Sequence, residues 1–340
     1  MLHIKFIGAC FAGTLAVLVP AAFPVKADPI ELKLAFFAAE STDTFKYGIK
    51  PFVDSVNSEG SGLVHITVFA DGALGKTLAE QPSMVLEGTA DIAWVVPGQT
   101  PYRFPDNQLI EMPGIFRDLR EGTLAYTHLV AAGALRGYQD FFVIAAYTSA
   151  PSIIHSRRPI QSLAALKGQK IRTNNPIEAT ALERLGALPT IIPASRLADA
   201  IDRGAVDGAV VSPTGLFQFG AAQTARNHYL LGVGAAPLVV VMSRKKFESL
   251  PEPAQALIRK YSGERAAAAW IESFGATEKA SMRKIETDEQ RIVIEPSLAD
   301  AAAAQQTFRS MIDSWVAESA HNKELLRLLE ADLAAVRSGQ

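Results

Sequence analysis

The sequence predicts an α/β protein of two lobes that face each other across a cleft. Its 340 residues are more than one hydrophobic core usually serves, and strand-like segments alternate with helix-like ones, which is typical of layered α/β folds. An internal sequence repeat is the third observation. "LEGTADIAWV" (residues 86–95) and "IDRGAVDGAVV" (residues 201–211) align on a glycine, an aspartate and an alanine, which predicts two similar lobes.

Each copy of the repeat predicts a helix that is followed at once by a strand. Gly88 and Gly204 stand where a helix would end in the left-handed conformation, and small apolar residues follow. Asp91 and Asp207 occupy matching places, so we interpret each as a cap or turn residue and not as half of an acid–base pair. The strand ends of the two units could then face each other across the cleft.

The first part of the chain predicts strand, helix and strand in turn. Residues 32–36 have the pattern of a short strand, and the alternation of residues 64–69 predicts another. Between them lies a set of apolar residues at helical spacing, which ends at the break of residues 60–62 and comprises Phe45, Ile49, Phe52, Val53 and Val56.

The last part of the chain predicts mainly long helices. A helix-favouring stretch covers about residues 254–290 and is long enough to run along both lobes. "RIVIE" (residues 291–295) and a final helix over about residues 298–336 close the chain. We expect the chain to cross between the lobes, with lobe I formed by residues 28–150 and about 238–277, and lobe II by residues 151–237 and about 278–340.

The first 27 residues predict a secretory signal peptide that is removed. Lys5 and no acid precede the apolar run of residues 7–19, and prolines and a small-residue end follow it. A membrane anchor is the alternative, but this run is shorter than the roughly 20 residues that span a bilayer. Cys10, the only cysteine, lies in this segment, so the mature chain would contain none.

The composition argues against several classes of function. The chain has 33 Lys and Arg against 35 Asp and Glu, a formal net charge of -2, and no basic patch suggests nucleic acid. It contains no Gly-x-Ser-x-Gly elbow, phosphate loop or His-Glu-x-x-His motif, and its histidines are isolated in sequence. A secreted enzyme is therefore the weakest hypothesis, and we expect an exported soluble protein without a cofactor.

Arg172 is the most informative single residue. It follows Ile171 near the expected end of a buried strand, the position at which open α/β sheets bind ligands. Residues 166–175 contain no acid that could pair with it. A salt bridge to an acid elsewhere is one interpretation. The other is capture of a ligand carboxylate, for which a planar guanidinium has the right geometry.

Four segments carry a family resemblance: "ADIAWVVPGQTPYRFP" (residues 90–105), "RRPIQSLAALKGQKIR" (157–172), "RGAVDGAVVSP" (203–213) and "VVVMSRKKFESLP" (239–251). In this order they resemble the periplasmic solute-binding proteins of TRAP transporters, the DctP-like family. The resemblance extends from about residue 32 to at least residue 270. It implies two α/β lobes with a ligand closed between them, a long helix that spans both, a periplasmic location, and delivery to a sodium-driven, two-component membrane permease.

The resemblance also implies a role for Arg172, which falls on the arginine that in this family usually pairs with the carboxylate of an organic acid. One departure from the family pattern changes the expected pocket. Many relatives place polar or cation-binding residues after Val-Asp-Gly, whereas here Ala209, Val210 and Val211 precede Ser212. We therefore expect no metal in the site and an apolar wall.

The expected ligand is a monocarboxylate with an apolar or aromatic body, such as a 2-oxo or 2-hydroxy acid. Core packing is the alternative role for each aromatic candidate, and capping of loops for the asparagine and serine. The candidate ligand-binding residues are Arg172, Asn174, Trp94, Phe37, Tyr147, Ser212, Phe217 and, ranked below these, Arg158. Capture needs no second subunit, so we expect a monomer. A periplasmic sensor that presents the bound acid to a membrane signalling partner is the alternative function.

Overall fold

The computed structural model describes residues 1–2 and 28–339, so the predicted signal peptide falls almost wholly outside the described residues. The described chain forms two β-sheets flanked by helices. The strands are β1 (Ile30–Ala35), β2 (Val64–Phe69), β3 (Ile92–Val95), β4 (Phe141–Thr148), β5 (Ile153–Ser156), β6 (Lys170–Thr173), β7 (Leu188–Ile191), β8 (Gly208–Val211), β9 (Asn227–Tyr229), β10 (Pro237–Ser243) and β11 (Ile292–Ile294).

The helices alternate with these strands, as the sequence predicts. A π-helical turn (Phe45–Ile49) leads into the first of them. The α-helices are α1 (Lys50–Glu59), α2 (Gln81–Glu87), α3 (Asn107–Glu111), α4 (Leu119–Ala131), α5 (Pro176–Arg184), α6 (Leu197–Asp202), α7 (Pro213–Gln218), α8 (Arg244–Ser249), α9 (Glu252–Lys260), α10 (Glu264–Thr287), α11 (Leu298–Ala317) and α12 (Ala320–Ser338). Within the described ranges, none has the length and apolar character needed to cross a bilayer.

The two sheets share one topology. The first has the order β2-β1-β3-β10-β4 and the second β7-β6-β8-β5-β9-β11. In each, three parallel strands are followed by one antiparallel strand, β10 in the first sheet and β5 in the second. The chain crosses between sheets from β4 to β5 and returns from β9 to β10. The predicted two-lobed α/β fold is therefore confirmed.

The predicted long helix is also confirmed, although it is shorter than the helix-favouring stretch. Gly263 adopts a positive φ of 62° and donates its N–H to Ile144, so α9 ends before α10 begins. Trp270 of α10 donates Nε1–H to the carbonyl of Thr148, in the first lobe. Glu278, two turns further on, accepts from the N–H of Thr214 in the second lobe. Helix α10 therefore contacts both lobes.

The prediction of one uninterrupted C-terminal helix is wrong. The chain breaks after α11, and Ser319 in extended conformation accepts from the N–H of Asn322 as the N-cap of α12. Helix α12 then packs on α4, where Arg337 pairs with Glu121 at 2.7 Å. Helix α12 thus contacts α4 of the expected lobe I, and all of the expected lobe boundaries remain a proposal.

The internal sequence repeat corresponds to a repeated hydrogen-bond pattern in the structure. Gly88 and Gly204 both take the left-handed conformation, with φ of 80° and 70°. Asp91 Oδ2 accepts from the N–H of Lys33, and Asp207 Oδ2 accepts from the N–H of Lys170, both at 2.8 Å. Each aspartate directly precedes its own strand and binds the backbone of the neighbouring strand, β1 for Asp91 and β6 for Asp207, which is a structural role for the pair.

A buried histidine pair joins strands of the second sheet. His155 on β5 and His228 on β9 are register partners, and their Nδ1 atoms lie 2.6 Å apart. His155 Nε2 lies 3.2 Å from the carbonyl of Val211, to which it can only donate, so its Nδ1 must accept. His228 therefore donates through Nδ1, and its Nε2 accepts from Arg291 at 3.3 Å. Both histidines must be neutral for this chain of donors and acceptors to form.

Protonation should break that chain, which gives a pH prediction. Burial lowers the pKa of His155 well below its usual value, and burial followed by the charge of Arg291 lowers the pKa of His228 to about 4. As the pH falls below about 6.5, these histidines bind protons in the unfolded chain but not in the folded chain. The free energy of unfolding therefore falls until the pH reaches the pKa of the histidines in the folded chain. For His228 this amounts to about 2 kcal/mol of unfolding free energy lost by pH 5.

The measurement is urea unfolding of wild type, His228→Gln and His65→Gln at pH 7.5 and pH 5.0. Wild type should lose about 2 kcal/mol more between the two pH values than His228→Gln loses. His65 is exposed, so its variant should behave as wild type does. Equal pH dependence of wild type and His228→Gln would contradict the neutral pair.

Candidate functional site

A cavity of about 100 Å³ lies between the two sheets, where strand ends of both lobes meet. The first lobe contributes residues that include Trp94 and Val96, the second contributes the ends of β6 and β8, and Phe274 comes from α10. The lining residues are Thr44, Leu78, Trp94, Val96, Ser149, Ser152, Arg172, Asn174, Glu178, Ala194, Val210, Val211, Ser212, Gly215, Gln218, Phe219, Ala236, Leu238 and Phe274.

The lobes touch across this cavity. Gln99, which follows β3, donates Nε2–H to the carbonyl of Asn174 at 2.7 Å. Thr44, in the first lobe, donates its hydroxyl to Gln218 of α7 at 3.5 Å. These two contacts join the lobes beside the cavity.

Arg172 lies at the cavity with only 1% of its surface exposed. Strand β6 is the middle one of three parallel strands, so the side chain is flanked by the ends of β7 and β8. Its Nε donates to the carbonyl of Ile192 at 2.7 Å, and one Nη donates to that of Val210 at 3.4 Å. The other Nη donates to Asn174 Oδ1 at 3.1 Å. Among the described residues, no carboxylate forms an ion pair with Arg172 within 4.0 Å.

Glu178 is the carboxyl nearest in sequence, and it also lines the cavity. Its Oε2 accepts from the N–H of Asn174 at 2.7 Å, so Asn174 links the acid to the arginine without direct contact. Burial raises the pKa of Glu178 to about 7, against the lowering effects of the Asn174 N–H and of Arg172. Burial also lowers the pKa of Arg172 to about 10, so the arginine stays charged at neutral pH.

A second buried acid, Glu111, stands behind Glu178 on the first lobe. It is 2% exposed, and its Oε1 has no hydrogen-bond partner. Burial, and next the charge of Glu178, raise its pKa well above the usual value. Gly98 lies so close that a Cβ there would collide with Oε1. Its own burial and the charge of Glu178 therefore both favour the protonated form of Glu111.

The rest of the wall is mainly apolar. Trp94, Val211, Phe219, Leu238 and Phe274 contribute its aromatic and aliphatic surface. The indole Nε1–H of Trp94 is buried near the hydroxyl of Tyr147 and does not open to the cavity. This wall thus suits an apolar group.

Four of the candidate residues come together at the cavity, namely Arg172, Asn174, Trp94 and Ser212. Ser212 has a second role, because its Oγ accepts from the N–H of Gly215 as the N-cap of α7. The other four candidates do not line the cavity: Phe37 is half-buried against the first-lobe core, Tyr147 stacks on Trp270 at 3.9 Å, Phe217 packs near Lys284 and Arg291, and Arg158 is exposed.

Sequence reasoning missed Glu178, Thr44, Gln218, Phe219 and Phe274 as lining residues. A signal for Glu178 is present in the sequence. Asn175-Pro176-Ile177-Glu178 has the pattern of a helix N-terminus with an acid at its third position, and Asn175 Oδ1 does accept from the N–H of Glu178. The residues on α7 and α10 carry no such local signal.

The chemistry available at the site is binding. The cavity contains one cation, one carboxyl, a few hydroxyl and amide groups, and apolar surface. Within the described residues, no three His, Cys, Asp or Glu side chains are grouped so that they could hold a metal ion. The arrangement can therefore hold an anion by charge-assisted hydrogen bonds, with its apolar part against the aromatic wall.

Comparison with known proteins agrees with this architecture. The model of the family described as bacterial extracellular solute-binding protein, family 7 (DctP), matches residues 35–319. The 2,3-diketo-L-gulonate-binding periplasmic protein of Escherichia coli K12 is 27% identical over 238 residues, which cover 65% of this chain and 69% of that protein.

Two solved structures have a similar fold. A TRAP solute-binding protein of an unidentified marine microbe, specific for aromatic acid ligands and bound to 3-hydroxybenzoate, is 24% identical with a TM-score of 0.81, covering 91% of this chain and 99% of that chain. One from Rhodoferax ferrireducens T118, in complex with copurified benzoate, is 22% identical with a TM-score of 0.79, covering 90% and 98%. The family resemblance seen in the sequence is confirmed, and the chain belongs to the DctP family of extracellular solute-binding proteins of TRAP transporters.

Proposed function

We propose that this protein captures a small organic monocarboxylate with an aromatic or apolar body in the periplasm and delivers it to a TRAP membrane permease. The observation that carries the proposal is the buried guanidinium of Arg172, which faces a small and largely apolar cavity without a carboxylate in ion-pair contact. A buried arginine is normally paired, so an anionic ligand is the partner that best completes the site.

The hydrogen bonds of Arg172 favour a carboxylate in particular. A guanidinium carries five N–H groups. Bonds to Ile192, Val210 and Asn174 use one hydrogen on Nε and one on each Nη. One N–H therefore remains on each terminal nitrogen, and such a pair is what a carboxylate accepts in bidentate fashion. The three existing bonds also hold the guanidinium in place before the ligand arrives.

The walls favour an aromatic or apolar body over a sugar. A sugar acid needs hydrogen-bond partners for several hydroxyls, whereas much of the cavity lining is apolar, with Trp94, Phe219, Leu238 and Phe274 among its residues. The small volume of about 100 Å³ favours a compact ligand. Relatives of similar fold with bound benzoate and 3-hydroxybenzoate support this choice, while the gulonate-binding relative is the main competing precedent.

Closure of the two lobes would make the capture effective. The contacts of Gln99 with Asn174 and of Thr44 with Gln218 join the lobes around the cavity. Excluding water lowers the local dielectric constant and strengthens the arginine–carboxylate attraction. The closed form also presents one surface made of both lobes, which a permease could distinguish from the open form.

Removal of the guanidinium should abolish tight binding. We expect Arg172→Gln to weaken the affinity for benzoate or 3-hydroxybenzoate at least about 30-fold, because loss of one partner of a buried charge pair costs about 2–5 kcal/mol. Arg158→Gln, a matched change at an exposed arginine of the same lobe, should bind as wild type does. Isothermal titration calorimetry measures both affinities, and circular dichroism checks that each variant is folded. A folded Arg172→Gln that binds within about threefold of wild type would refute the arginine clamp.

A thermal-shift panel tests the ligand class. Aromatic and aliphatic monocarboxylates, succinate and galacturonate should be compared at equal concentrations, with and without EDTA. Ligand stabilisation grows with concentration over the dissociation constant, so an aromatic monocarboxylate should give the largest shift in melting temperature. EDTA should not change that shift. A larger shift with galacturonate or succinate would leave the transport role but refute the pocket assignment.

A further inference from the structure

Glu178 places a second acidic group in the cavity that we propose binds an anion. Arg172 and Glu178 are the only charged side chains among the described residues that line the cavity. Both are almost completely buried, with 1% of each exposed. An anion that binds Arg172 would therefore meet a second negative charge in the same closed space if Glu178 were ionised. Two unscreened anions there would repel each other strongly.

We propose that Glu178 sets the charge of the site: when an organic anion binds Arg172, Glu178 takes up one proton from solvent, so the closed cavity accepts one negative charge and rejects a second. The inference rests on the proposed function and deepens it. The proton adds to the Glu178 carboxylate and the ligand stays ionised at Arg172. The bound cavity then contains one cation, one anion and one neutral acid.

The hydrogen-bond geometry links the three groups. Arg172 donates to Asn174 Oδ1, and the backbone N–H of Asn174 donates to Glu178 Oε2. In the empty protein, Arg172 is the cation that favours the ionised form of Glu178. A ligand carboxylate on Arg172 cancels most of that attraction and adds a charge of the same sign as the carboxylate of Glu178. Both effects favour uptake of a proton.

The other elements packed on α5 do not supply a competing cation. Helix α3 contributes Glu111, a buried acid with a raised pKa, and β7 (Leu188–Ile191) contains no titratable side chain. Helix α11 turns the apolar residues Ala304, Phe308 and Met311 into the core that it shares with α5, while its Arg309 and Asp313 are exposed. Arg172 is thus the one positive charge that faces Glu178 in the described structure.

In the empty protein, the pKa of Glu178 is close to neutral pH, so binding can change its protonation. Burial raises the pKa of Glu178 to about 7, so part of the population is ionised at neutral pH and most of it at pH 8. Affinity should be independent of pH below about 7 and should weaken above it, approaching tenfold per pH unit while the bound form keeps its proton. The benzoate carboxyl is fully ionised over this range and cannot produce the effect.

The test is calorimetric titration of benzoate into the protein at pH 8.0, in phosphate and in Tris. These buffers differ widely in ionisation enthalpy, so the difference in heat counts the protons taken up. Wild type should take up at least about half a proton per bound anion. Glu178→Gln retains an oxygen that can accept from Asn174, and it should take up none. Glu183→Gln, at an exposed acid on the same helix, and Glu111→Gln should both behave as wild type does.

The dissociation constant should then be measured from pH 6 to pH 9. Glu178→Gln should bind within about threefold of wild type at pH 6 and at least about tenfold more tightly at pH 9, because it avoids the protonation step. Two results overturn the inference alone: buffer-independent heat of binding in wild type, or proton uptake that persists in Glu178→Gln. Absence of binding to any monocarboxylate by wild type would overturn the proposed function as well.

Discussion

The cost of burying the charge of Arg172 is the constraint on which the rest of the site depends. Removal of a guanidinium from water costs several kcal/mol unless other groups replace its hydration. Here the fold replaces it with two backbone carbonyls and one amide oxygen. The carbonyls of Ile192 and Val210 come from the ends of the strands on either side of β6, so only a residue on that middle strand could reach both. Parallel strand order therefore creates the anchor.

The same burial determines the charge balance around the anchor. Glu178 lies within the field of Arg172 but makes no direct bond to it, and the charge of Glu178 helps to raise the pKa of the buried Glu111. A direct Arg172–Glu178 salt bridge would have satisfied the arginine and left nothing for a ligand. Asn174 keeps the two apart, because its side chain binds one and its backbone N–H binds the other. Three of the five N–H groups of Arg172 are used in this way, and the other two are left for the proposed ligand.

The sequence predicted the fold and the anchor better than it predicted the walls. Strand alternation, helix caps and the internal sequence repeat are patterns in the sequence itself. They were enough to predict the two sheets and the position of Arg172 near the end of a strand. Which face of an element meets the cavity is a tertiary property. Phe217 and Phe219 are about 200° apart around α7, and only Phe219 lines the cavity. Tyr147 lies on the face of β4 that α10 covers through Trp270, and nothing near it in sequence reveals that packing. The C-terminal break at Ser319 was missed because the apolar pattern continues on both sides of it.

The internal symmetry explains why the ligand should need both lobes. In the first sheet Ala35 is the register partner of Ala93, and in the second Arg172 is the partner of Ala209. Arg172 therefore occupies the place of Ala35, and Trp94 the place of Val210. The same strand arrangement thus places the guanidinium of Arg172 in the second lobe and the indole ring of Trp94 in the first. A carboxylate on Arg172 alone leaves its apolar body in water, and an aromatic body on Trp94 alone leaves its charge unpaired. With the proposed ligand, only closure would satisfy both ends, so its binding energy would be coupled to a movement that brings the lobes together.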